Sequence, residues 1–170
     1  MPKPNQHAHY APPESPLDNA KHANRKELHR IWQAAQAGQP LRGEEATLAE
    51  IMREHAEWQH VWNRLDQIGD AQLQQDGVNP LMHLVVHLTI LNQIDGALPP
   101  VGEIYQKLLA QGIDQHEAIH RIGAAFVEEF YRALKADRPF DETRYLLDLK
   151  QLVRGKSRPL HREPRVRRRR

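Results

Sequence analysis

Apolar positions recur every three or four residues along most of the chain from Leu28 to Leu152, the period of α-helices that each bury one face. The first stretch predicts a helix from near Asp18 to Ala37. Its stripe is Leu28, Ile31, Trp32 and Ala35, Asp18 caps it, and Gly38 and Pro40 stop it. The second predicts a helix from about Glu44 to Ile68, with Leu48, Ile51, Met52, His55, Trp58, Trp62 and Leu65 on one face and Gly69 after its end. The third opens at Asn79-Pro80, a good cap followed by a residue suited to the first helical position. It then runs apolar almost all round to Ile94, the pattern of a helix buried on most sides, and Gly96 and Pro99-Pro100 end it. A short helix from roughly Val101 to Ala110, a long one from Asp114 to about Ala136 and a last one from Asp141 to about Val153 complete the pattern. No strand alternation or repeat is visible, so the expected class is all-α, a compact bundle of about five to six helices.

The 170 residues suit one domain, expected over 20–153. Residues 1–19 are Pro-rich and mostly polar and read as a disordered lead-in. From Arg154 onward there are nine Lys/Arg and one acid, Glu163, so residues 154–170 read as a basic tail. The remaining 15 basic and 21 acidic residues leave residues 1–153 with a net charge of −6. An Arg-rich arm on an acidic body suits a polyanion, RNA or DNA. The arm has no interleaved aromatics, which argues against base-specific readout. There is no cysteine, which excludes disulfides, zinc–thiolate sites and thiol nucleophiles. No secretory leader or membrane-length apolar run is seen, so the expected location is cytoplasmic, with no membrane partner. The sequence sets no oligomeric state.

The candidate chemistry is histidine. His83/His87 and His116/His120 are two pairs spaced four apart, and His55 lies on the apolar stripe of the second helix. Residues four apart share a helix face, where two imidazoles can grip one metal ion. All five face inward by helical geometry, while Glu57 and His60 face outward. His83, His87, His116 and His120 are the expected metal ligands, with His55 as a fifth or supporting group. The bland alternative is a set of ordinary core histidines, each donating to a nearby carbonyl. Few carboxylates face inward, which argues against a carboxylate-bridged di-iron centre. Imidazole-only ligation suits zinc or another transition metal.

His116-Glu117-Ala118-Ile119-His120 also spells H-E-x-x-H, in which the glutamate is the base of a zinc peptidase. Against that, Asp114 and Glu117 are spaced as a capping box, with Glu117 reaching back to the helix start. Trp32, Trp58 and Trp62 read as core rather than as a stacking platform. No phosphate loop or nucleophile elbow is present.

The run Asn79-Pro80-Leu81-Met82-His83-Leu84-Val85-Val86-His87-Leu88, with Leu98-Pro99-Pro100, Gln115-His116-Glu117-Ala118-Ile119-His120 and Arg138-Pro139-Phe140-Asp141, resembles a family of small bacterial proteins, the domain-of-unknown-function 1841 family. The resemblance covers about residues 25–153. It implies the domain limits and a bacterial origin, and it brings no activity. The family pattern carries a motif like H-P-E-Y-H, which here reads His55-Ala56-Glu57-Trp58-Gln59. If the family's site uses the second histidine, this chain has an amide, Gln59, in its place. Taken together, the chain reads as a histidine-ligated metal-binding helical protein. The alternatives are an interaction protein docking on nucleic acid or ribonucleoprotein through its tail, and a metal-dependent hydrolase with Glu117 as base.

Overall fold

The expected helices form, and several break where local periodicity did not say they would. A computed structural model describes residues 16–155 apart from Asp76; the side chains of residues 16–20 and of His22 are not described. The Pro-rich lead-in before residue 16 and the basic tail after residue 155 therefore lie outside the described residues. The described chain is all-α, with seven α-helices rather than five to six and no strand. Among these residues no single helix is long and apolar enough to cross a membrane. The chain divides into two units, Met1–Gln74 and Gln75–Arg170.

In the first unit, α1 (Pro16–Gln36) packs on α2 (Glu44–Glu54) and on the single turn of α3 (Gln59–Trp62). The α1 helix starts at Pro16, so Asp18 lies inside its first turn and is not its cap. Proline tolerates the first turn because its missing N–H has no partner there anyway. Ile31, Trp32, Ala34 and Ala35 are buried on α1, and Leu48, Ala49, Ile51 and Met52 on α2. Trp32 donates its indole N–H to Asn63 Oδ1 at 2.6 Å, which satisfies the polar edge of a buried ring. Trp32 and Trp62 are core residues, as expected, and Trp58 is half-buried.

The expected continuous helix from Glu44 to Ile68 does not exist. At His55 the backbone leaves the helical region (φ −107°, ψ 61°), and a 3-10 turn at Ala56–Trp58 precedes α3. In the motif that this segment resembles, position 56 is proline, which disfavours the helical region at the residue before it. Here Ala56 occupies the same break without the ring. The apolar period continues through it because the chain resumes helical turns almost at once, so periodicity could not reveal the interruption.

In the second unit, α4 (Pro80–Asn92) begins as expected, with Asn79 Oδ1 accepting from the N–H groups of Leu81 (3.0 Å) and Met82 (3.3 Å). A π-turn at Gln93–Ala97 follows, containing Gly96 at φ +121°, a conformation that side chains rarely allow. The direction changes by 105° into α5 (Pro99–Ala110). The helices α6 (Gln115–Lys135) and α7 (Glu142–Val153) are capped by Asp114 and Asp141, each accepting a backbone N–H at 3.0 Å. The core joins Ile90, Val101, Ile104, Leu108, Ile119, Ile122, Tyr145 and Leu149 from all four helices. The α4 helix is less enclosed than its sequence suggests: Met82 and Val85 are more than half exposed.

One carboxylate is fully buried, against the expectation that few face inward. Glu129 of α6 accepts from Arg138 (2.7 Å), from the Asp141 N–H (3.3 Å) and from Arg132 (3.4 Å). Burial alone would raise its pKa, but the hydrogen bonds and positive charges of Arg138, the Asp141 N–H and Arg132 outweigh it and hold the carboxyl below its ordinary range. A carboxylate with a depressed folded pKa stabilises the fold above the ordinary range and loses that contribution as pH falls through the folded value. Replacing Arg138 with Met leaves the buried carboxylate underpaired. The acid unfolding midpoint, followed by circular dichroism, should then move to higher pH, with a lower melting temperature at neutral pH. An unchanged acid midpoint would show that the pair does not hold this carboxylate ionised.

Candidate metal centre

The four histidines of α4 and α6 come together in the second unit. Within α4 the His83 and His87 rings lie 4.5 Å apart between centroids, and within α6 the His116 and His120 rings lie 4.2 Å apart. Across the helix pair, His83 and His120 are 5.0 Å apart, His87 and His120 4.8 Å, and His87 and His116 5.3 Å. The spacing of four within each helix stacks each pair on one face, which is a local property of sequence. That the two faces meet is a property of packing.

Gly123 permits that meeting. It lies seven residues beyond His116, on the face that carries the histidines, and it is buried. A Cβ there would sit 3.1 Å from Val86 Cγ1 and 3.8 Å from Ile90 Cγ1, so a side chain would push α4 outward. With glycine, the backbones of α4 and α6 approach closely and the imidazoles touch.

His87 is buried, and His83, His116 and His120 are half-buried, so the cluster sits at the margin of the core with one ring fully inside. His83, His87 and His120 each offer a ring nitrogen within 4.8 Å of the others. Ligand nitrogens at the usual zinc distance stand roughly 3.3 Å apart around a tetrahedral ion. Closing the difference needs modest side-chain rotations and no movement of the helices. The donor set is imidazole alone, which suits a borderline transition-metal ion. Ring centroids this close leave room for an ion between them and none for a macrocycle.

His55 belongs to the first unit, where it sits at the break after α2 and is buried. Its ring stacks on Trp58 at 5.0 Å, and its Nδ1 is 3.1 Å from Glu57 Oε1. A proton on Nδ1 shared with the carboxylate leaves the lone pair on Nε2, the tautomer that a carboxylate–histidine pair presents to a metal. Glu57, set aside as outward-facing, is exposed but still reaches this histidine. His60 and Gln59 are exposed.

Glu117 does not form the expected capping box. Asp114 accepts the Glu117 N–H, but the Glu117 carboxylate accepts from Arg121 Nε at 2.6 Å instead of reaching back to the helix start. An i,i+4 partner on the solvent side competes successfully with the cap. Sequence reasoning passed over Glu129, although a signal was present: it falls at helical spacing with Ile122, Ala125, Phe126 and Ala133. The arginines that pair it, Arg132 and Arg138, are three and nine residues on.

A family model described as "Domain of unknown function (DUF1841)" matches residues 20–151. No curated protein and no solved structure matches the chain.

Proposed function

We propose that this chain, which belongs to the domain-of-unknown-function 1841 family, binds one divalent transition-metal ion, zinc foremost, through His83, His87, His116 and His120. The observation that supports this reading is the convergence of both histidine pairs, with ring centroids 4.2–5.3 Å apart in the pairs that touch. Two pairs at helical spacing could equally have ended on opposite sides of a bundle, each in its own hydrogen bonds. Four neutral imidazoles satisfy a tetrahedral ion, and three with a water make an open shell. In the closed form the ion ties α4 to α6. Hydrolysis would need a base directed at a bound water, and the Glu117 carboxylate is engaged with Arg121.

The test is elemental analysis of untagged full-length protein, as purified and after metal loading and desalting, beside a His83→Ala/His116→Ala variant. About one ion per chain is expected in the parent. The variant, left with one ligand on each helix, should hold less than a tenth of that. Equal metal in both proteins, or none in the loaded parent, would refute the assignment.

A further inference from the structure

The face of α6 that carries His116, His120 and Gly123 does not end with them. It continues through Val127, Phe130 and Leu134, so that the steps along it alternate four, three, four, three, four. This is the seam of a coiled-coil helix, in which two positions of each seven face a partner. The α4 helix covers the first half of the seam. The second half is uncovered: Val127 and Phe130 are 46% and 45% exposed, and Tyr131 and Leu134 are 64% and 65% exposed. Phe130 is held in place by stacking on Phe126, with ring centroids 6.3 Å apart. The aromatic surface is therefore set before any partner arrives, which lowers the entropic cost of docking.

We propose that this second half of α6 packs, antiparallel, against the same segment of a second copy of the chain. Charge along the flank selects that occupant and its direction. Glu128 and Lys135 lie seven residues apart on one edge of the stripe, with opposite sign. An antiparallel copy crossing near Tyr131 sets Glu128 of each chain beside Lys135 of the other, whereas a parallel copy sets like against like. The arrangement is isologous: the same patch serves both chains and the assembly closes at two. The patch is small, so association should be reversible and depend on concentration. The inference is independent of the metal, because none of its residues is a proposed ligand.

Sedimentation velocity of the nuclease-treated full-length chain, over a wide concentration range, reads the result. The parent should pass from monomer to dimer. Leu134→Glu, at an exposed position that the fold does not need, should weaken the dimer by roughly tenfold or more. Lys135→Glu should also weaken it, and Glu128→Lys added to Lys135→Glu should restore it, with helical content unchanged throughout. A parent that stays monomeric overturns the proposal, whether the face then proves to take lipid or another protein. A dimer indifferent to Leu134→Glu places the interface elsewhere and overturns it too. Failure of the double exchange to restore the dimer overturns the antiparallel pairing.

Discussion

Zinc added to the metal-free chain is expected to slow amide hydrogen exchange in α4 and α6, by about 2.7 kcal/mol when free zinc stands a hundredfold above its dissociation constant. A ligand that binds only the folded arrangement stabilises it by mass action. Here the folded arrangement is what brings the four rings together, two from each helix. An unfolded chain holds at most one pair near an ion, and loosely. The effect should weaken as pH falls below ~6.5, where protons compete for ordinary imidazoles. It should be absent in the His83→Ala/His116→Ala variant. Exchange measured by mass spectrometry resolves the helices separately, and the three tryptophans, all in the first unit, give that unit its own optical signal. Equal exchange with and without zinc in the parent would remove the clamp from the account.

Tyr145→Ala should cost about 3–5 kcal/mol, the usual loss for deleting a large buried ring. Tyr145 is fully buried in the core of the second unit, edge-on to Phe126 (5.9 Å) and Phe140 (5.6 Å), and its hydroxyl donates to Gln93 Oε1 at 2.8 Å. That hydrogen bond ties α7 to the π-turn after α4, so the ring supports the end of the helix that carries His83 and His87. Tyr145→Phe keeps the ring and loses the bond, at about 1 kcal/mol. Burial pushes the Tyr145 phenol up from its ordinary value. Its contribution is therefore complete below the ordinary tyrosine range and declines as pH rises past ~10, because only the unfolded chain ionises readily there. The Phe variant should lose part of that alkaline sensitivity. Denaturant titrations at neutral and alkaline pH measure both effects. A Tyr145→Ala variant as stable as the parent would contradict the burial on which this rests.

The two units differ in how legible they were. In the second, Asn79, Asp114 and Asp141 cap their helices as read, because a cap depends on the residue and its next three neighbours. In the first, the long second helix was an over-reading. The stripe from Leu48 to Leu65 keeps a helical period across the break at His55, since a brief 3-10 turn shifts the phase too little to show. Glu117 shows the same limit on a smaller scale: cap and Arg121 were both within reach, and their competition is settled by side-chain geometry. Glu129 was missed because a lone carboxylate on an apolar face gains its meaning from Arg138, which approaches only after the chain turns back into α7.

What the sequence determined by itself was the all-α class, most of the helix starts, and the pairing of His83 with His87 and of His116 with His120, because each follows from interactions within a few residues. Only the tertiary structure decided that the two pairs meet. That depends on α4 and α6 closing tightly over Gly123, whose missing Cβ matters because Val86, 37 residues earlier in the chain, packs against it. It also decided that the rest of the α6 seam stays open, because α4 covers only part of a face that the sequence repeats without a break.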